Sequence, residues 1–75
     1  MNTYTWEQVA QHTTADDLWT VVQGKVLDLT AFAAEHPGGL DALLSIAGQD
    51  GTERVREVHP HVLQYVGKSQ IGVIQ

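Results

Sequence analysis

The spacing of hydrophobic positions changes along the chain, and each change marks an element. Thr5-Trp6-Glu7-Gln8 carries a hydroxyl at an N-cap position and glutamine three residues later, a capping-box pattern. It predicts a short helix from Trp6 to about Gln11 with Trp6, Val9 and Ala10 facing inward. Leu18-Trp19-Thr20-Val21-Val22 and Lys25-Val26-Leu27-Asp28-Leu29 are β-prone runs joined by Gln23-Gly24, which predicts an antiparallel hairpin. Trp19, Val21 and Val26, or their alternates, should form its buried face. Thr30 is then expected to cap a helix over 31–35, which the bar on helical backbone before proline ends at His36. Leu40, Leu43, Leu44 and Ala47 recur at helical spacing and predict an amphipathic helix closed by Gly48. Asp50-Gly51-Thr52-Glu53 reads as a second capping box, starting a helix with Val55 and Val58 on one face and His59-Pro60 at its end. A last helix carries Val62, Leu63, Tyr65 and Val66 before Gly67, and Ile71-Gly72-Val73-Ile74 closes the chain as a strand.

One small sheet is thus followed by two helical hairpins, each with histidine at its helix-breaking corner. His36-Pro37-Gly38-Gly39 forms the first corner, and His59 and His61 follow 23 and 25 positions later. Histidine is the commonest metal ligand, through one neutral imidazole nitrogen. Proline turns the backbone away from the helix, and two glycines permit positive φ and close approach to a bulky ligand. An ordinary turn explains such a tetrapeptide equally well on its own, and plain core packing explains any single leucine. Neither explains histidines at both corners. Facing leucine and valine stripes would leave an apolar slot with an imidazole at each mouth, a shape suited to a flat macrocycle.

Composition narrows the chemistry. Seventy-five residues make one small domain, 1–75, which gains little from its core alone and is expected to need a staple. Cysteine is absent, so disulfides, thiolate zinc sites, iron–sulfur clusters and covalent haem attachment are excluded. A bound apolar cofactor or a larger parent protein remains, and the chain's apolar end fits either a small protein or a domain of a longer one. The net charge of -5 disfavours nucleic acid and anionic membrane surfaces. No run reaches the length of a membrane span and no signal-peptide pattern opens the chain, so a soluble or cytoplasmic monomer is expected.

Over essentially its full length the sequence resembles the cytochrome b5 family. The resemblance rests on Tyr4-Thr5, Trp19, Lys25 to Thr30 followed by Phe32, the run from Glu35 to Gly39, Ala47-Gly48 with Asp50-Gly51-Thr52-Glu53, a histidine after that, and Ile71-Gly72. It implies an α+β fold in which a small mixed sheet underlies two helical hairpins forming a haem crevice. It further implies haem b (iron protoporphyrin IX) held by His36 and His59 as axial ligands. Leu29, Phe32, Leu43, Val55 and Val58 would be its apolar walls, with Pro37, Gly38 and Gly39 beside it. The implied function is one-electron transfer between a reductase and an acceptor protein or fused redox domain, with no catalytic residue of its own: a carrier, not an enzyme. Five acids from Glu35 to Glu57 against Arg54 and Arg56 point to a basic acceptor surface.

The chain also departs from the family pattern. Val55 stands where many members carry phenylalanine, and Pro60-His61 follows His59 where serine is common. A shift of two positions would make His61 the second ligand. Two other readings stay open: a zinc module using His59 and His61 with His12 or a carboxylate, and a haem-free b5-like interaction module. His12 itself reads as a solvated residue at a helix end.

Overall fold

Strand β3 (Asp17–Val22) carries a different layer on each of its faces. The computed structural model describes residues 2–35, 40–58 and 66–75. Side chains alternate across a strand, so Leu18 and Val22 point one way and Trp19 and Val21 the other. Leu18 and Val22 join Leu27, Leu29, Ala33, Leu43, Ile46, Ala47 and Val55 in one buried cluster under the helices. On the opposite face Val21 packs with Val9 and Val26, flanked by Tyr4, Trp19, Ile71 and Ile74. The sequence reading assigned the hairpin a single buried face; residues on both faces are buried, because Val9 packs against Val21 and Val26 on the side away from the larger cluster.

The expected hairpin is present. Strand β4 (Lys25–Asp28) pairs antiparallel with β3, with Val22 opposite Lys25, leaving Gln23 and Gly24 as a two-residue loop. Both have positive φ, 53° and 79°, the geometry of the turn that matches strand twist. Strand β5 (Gln70–Ile74) pairs antiparallel with β4 and parallel with β1 (Asn2–Tyr4), and β2 (Thr13–Thr14) lies beside β3. The sheet order is β1-β5-β4-β3-β2. It is mixed, as expected, but larger than the hairpin and closing strand alone. β1 and β2 were missed because three and two residues are too short to show an alternating pattern. Gly72 lets β1 come close: a Cβ there would meet the Asn2 carbonyl oxygen and lie 2.7 Å from the Tyr4 ring.

The first helix and the one that starts at Leu40 are shorter than predicted, and this changes what they bury. Helix α1 (Trp6–Val9) has the expected capping box, with the Thr5 hydroxyl accepting from the Gln8 N–H and the Gln8 side chain accepting from the Thr5 N–H. One turn presents few residues to the core. Val9 is buried, whereas Ala10 is exposed and Trp6 is 45% exposed, contrary to expectation. Helix α3 (Leu40–Leu44) ends early, and turns lead to Gly48 at φ 75°. The break rotates the chain, so Ile46 and Ala47 point inward and Leu44 outward. Helix α4 spans Thr52–Val58, and α5 (Val66–Ser69) runs through Gly67 instead of stopping before it. Val62, Leu63 and Tyr65 lie outside the described residues. Among the described residues, no helix is long and apolar enough to cross a membrane.

Candidate functional site

Two helices lead to the histidine corners, and both start on β3. Helix α2 (Thr30–Glu35) begins where the Asp28 carboxylate accepts from the Thr30 N–H at 3.0 Å and from its hydroxyl at 2.6 Å. The same Thr30 oxygen accepts the Leu18 N–H at 3.0 Å. The cap is therefore Asp28, and Thr30, assigned that role from sequence, ties the helix to the strand. At α4 the Asp50 carboxylate accepts from the Thr52 N–H at 2.9 Å and its hydroxyl at 2.7 Å. The Thr52 oxygen accepts the Gln23 N–H at 2.9 Å. The box expected between Asp50 and Glu53 is replaced by this tighter Asp50–Thr52 pair.

The segment before α4 lies along the edge of β3. Gly48 N–H donates to Trp19 O at 2.7 Å, Val21 N–H to Gln49 O at 3.1 Å, and Gly51 N–H to Val21 O at 2.8 Å. Thr20 is fully buried, with its hydroxyl 3.0 Å from Ile46 O and 2.9 Å from Gln49 O. This satisfies a polar group that burial would otherwise make costly. Gly51 is required here, since a Cβ would come within 2.8 Å of Thr20 Oγ1 and 2.9 Å of Ile46 Cδ1.

The predicted wall residues fall together where they are described. Leu29, Leu43 and Val55 are fully buried in the cluster under the helices, and Phe32 packs on it with part of its ring exposed. The side chain of Val58, the residues His36, Pro37, Gly38 and Gly39, and both His59 and His61 lie outside the described residues. Helix α2 is described as far as Glu35 and α4 as far as Val58, the residues that precede His36 and His59 in the chain. The apolar cluster is bordered by Phe32 and Leu40, both partly exposed. Its chemistry is uniform: Thr20 is the buried polar residue among those described, and its hydroxyl is engaged.

Charge gathers outside this cluster. An open cleft between the end of α3 and α4 is lined by Ser45, Ile46 and Gln49 on one side and by Glu53, Arg56 and Glu57 on the other. Glu35, Asp41, Asp50, Glu53 and Glu57 are all exposed, as are Arg54 and Arg56. His12 differs from its expectation. Its Nδ1 lies 2.8 Å from the Asp17 carboxylate, and its ring stacks on Trp19 at 3.6 Å and 10°, so it is held against the sheet instead of standing in solvent. Among the described residues no group of three His, Asp or Glu side chains could hold a metal ion.

Sequence reasoning gave Asp28 and Thr20 no role of their own, and gave Asp50, Thr30 and Thr52 only local capping roles. A signal was present: Asp28-Leu29-Thr30 and Asp50-Gly51-Thr52 repeat one pattern at a spacing of 22. Its meaning lies in a bond to a distant strand, which spacing alone does not reveal.

A mixed sheet with short helices gathered over an apolar cluster on one face defines a small α+β domain of the cytochrome b5 fold. The chain belongs to the cytochrome b5-like haem/steroid binding domain family, whose pattern matches residues 5–75. It is 49% identical over 55 residues to a cytochrome b5 of Candida tropicalis, covering 73% of this chain and 43% of that protein. With an NADH nitrate reductase of Chlorella vulgaris it shares 45% identity over 56 residues, 75% of this chain and 18% of that one. The fold also superposes on cytochrome b558 of Ectothiorhodospira vacuolata, a prokaryotic homologue of cytochrome b5. There the TM-score is 0.81 at 32% identity, covering 97% of this chain and 98% of that chain. The chain spans less than half the length of these curated relatives.

Proposed function

We propose that this domain is a one-electron carrier that holds haem b between His36 and His59. The observation that carries the reading is the convergence of Leu29, Phe32, Leu43 and Val55 in one apolar cluster, beside two helices that His36 and His59 follow in the chain. Family membership supports haem as the ligand. When bound, the haem would supply a ferric/ferrous couple. His36 and His59 would hold the iron through their imidazole nitrogens, and the domain would then carry electrons without converting a substrate of its own. The apolar residues keep water from the iron, and Pro37, Gly38 and Gly39 give the first imidazole room to approach.

His59 is preferred to His61 because Pro60 follows it as Pro37 follows His36, and proline disfavours helical backbone for the residue before it. The reading is tested by the absorption spectrum after loading with haem, which should be six-coordinate, low-spin and of b type. A high-spin spectrum would reject it.

The similarity to part of a nitrate reductase supports use either as a separate carrier or as the haem domain of a larger oxidoreductase. For a separate carrier, the exposed acids from Glu35 to Glu57 favour a transient complex with a basic partner. Its association rate should fall as salt rises, since charge steering is screened beyond about 8–10 Å at physiological ionic strength. Stopped-flow electron transfer to a basic redox protein at increasing salt checks this, and a rate that stays flat or rises would point to apolar docking or a tethered partner.

A further inference from the structure

The two Asp-x-Thr segments make the same set of bonds at the two ends of one strand. In each, the carboxylate accepts from the threonine N–H and hydroxyl, and the threonine oxygen accepts a backbone N–H from β3 or the residue after it. The helical ladders that follow start alike, with Ala33 N–H donating to Leu29 O and Val55 N–H to Gly51 O, both at 2.8 Å. Leu18 in β3 and Gln23 directly after it are the two anchors, five positions or roughly 16 Å apart along extended chain. One strand thus sets where both helices begin. His36 and His59 follow these two helices in the chain.

We infer that Thr30 and Thr52 are paired positioning residues that fix, through α2 and α4, the separation and orientation of the two haem-holding histidines. The inference rests on the bis-histidine reading above and adds which groups outside the ligand set hold the geometry. The carboxylates do part of the work. Asp28 and Asp50 orient each hydroxyl by accepting its proton, which leaves the threonine oxygen's remaining lone pair for the strand N–H. Gln23 takes a left-handed φ of 53° at the same place where its N–H reaches Thr52. A non-glycine residue seldom adopts that conformation, so the hairpin turn and the α4 anchor are built together. Thr20, midway between the anchors, binds the Ile46 and Gln49 carbonyls and holds the approach to α4 against the same strand.

The test uses the haem-loaded chain with Thr30→Val, Thr52→Val and the double variant, each beside its Thr→Ser counterpart. Valine keeps the branched shape and removes the oxygen; serine keeps the oxygen. Each valine variant should shift the low-spin electron paramagnetic resonance g-values of its folded fraction. Each should also speed haem transfer to an apo-globin acceptor by about 10–100-fold, the usual cost of losing a group that orients a ligand. Serine should restore both. A merely structural role would lower the melting temperature while leaving the g-values and haem transfer of the folded protein unchanged, and that result would overturn the inference. If the double variant does not fold, the single variants carry the comparison. A wild-type protein without a low-spin bis-histidine spectrum would defeat the functional reading itself, whereas a low-spin wild type with unaltered valine variants would defeat only the positioning role.

Discussion

Replacing His36 with alanine is expected to abolish the low-spin spectrum and to weaken haem binding by more than about 100-fold. That floor follows because losing even a group that only orients a ligand typically costs about 10–100-fold. His59→Ala should behave the same way. His61→Ala should leave the spectrum low-spin and shift the potential only modestly, because His61 lies two residues past the histidine that directly follows α4. Haem titration of the three variants, followed by visible absorption, checks the assignment. Loss of the low-spin form in His61→Ala and its survival in His59→Ala would move the second ligand by two positions. Pro60 supports the first outcome, since it disfavours helical backbone at His59 as Pro37 does at His36.

Removing the haem should cost much of the domain's stability. A ligand that binds only the folded chain stabilises it by about 4 kcal/mol when present at a thousand times its dissociation constant. For a domain of this size each kcal/mol moves the melting temperature by about 4–8 °C, so apo and holo forms should differ by roughly 15–30 °C. Calorimetry of the two forms measures the gap directly. Equal melting temperatures would mean that the chain needs no staple, against the expectation drawn from its small size and its lack of cysteine. The described core explains the expectation. Its two clusters lie on opposite faces of one sheet, and the helices over the larger cluster have only four to seven residues each. Helices this short draw their stability from packing and from their anchors, not from their own hydrogen bonds.

Much of the fold was legible because the strongest local signals agreed. Gln23-Gly24 between two β-prone runs gave the hairpin and its register, and Thr5 with Gln8 gave the cap of α1. Periodicity failed where elements were short. A helix of Leu40–Leu44 cannot carry a stripe through Ala47, so the spacing that included Leu44 described a helix longer than the one formed. The strand pairing of Asn2–Tyr4 and Thr13–Thr14 depends on partners far along the chain, which no local pattern displays. Of the candidate site, Leu43 and Val55 could be read from helical spacing and the two histidine–proline corners from sequence, whereas Leu29 and Phe32 were implied by the family resemblance. The threonine anchors could not, because a threonine before a helix reads as a cap. Only the tertiary arrangement shows that Thr30 and Thr52 accept from the strand while Asp28 and Asp50 do the capping.

The central claim, that two histidines at matched helix ends hold one haem, is tested most directly by electron paramagnetic resonance of the ferric, haem-loaded protein. A pyridine haemochrome taken from the same sample would report the haem type. The account predicts a low-spin ferric signal with no high-spin component and a b-type haemochrome extractable by acidified solvent. A high-spin signal, or a protein that takes up no haem, would contradict it.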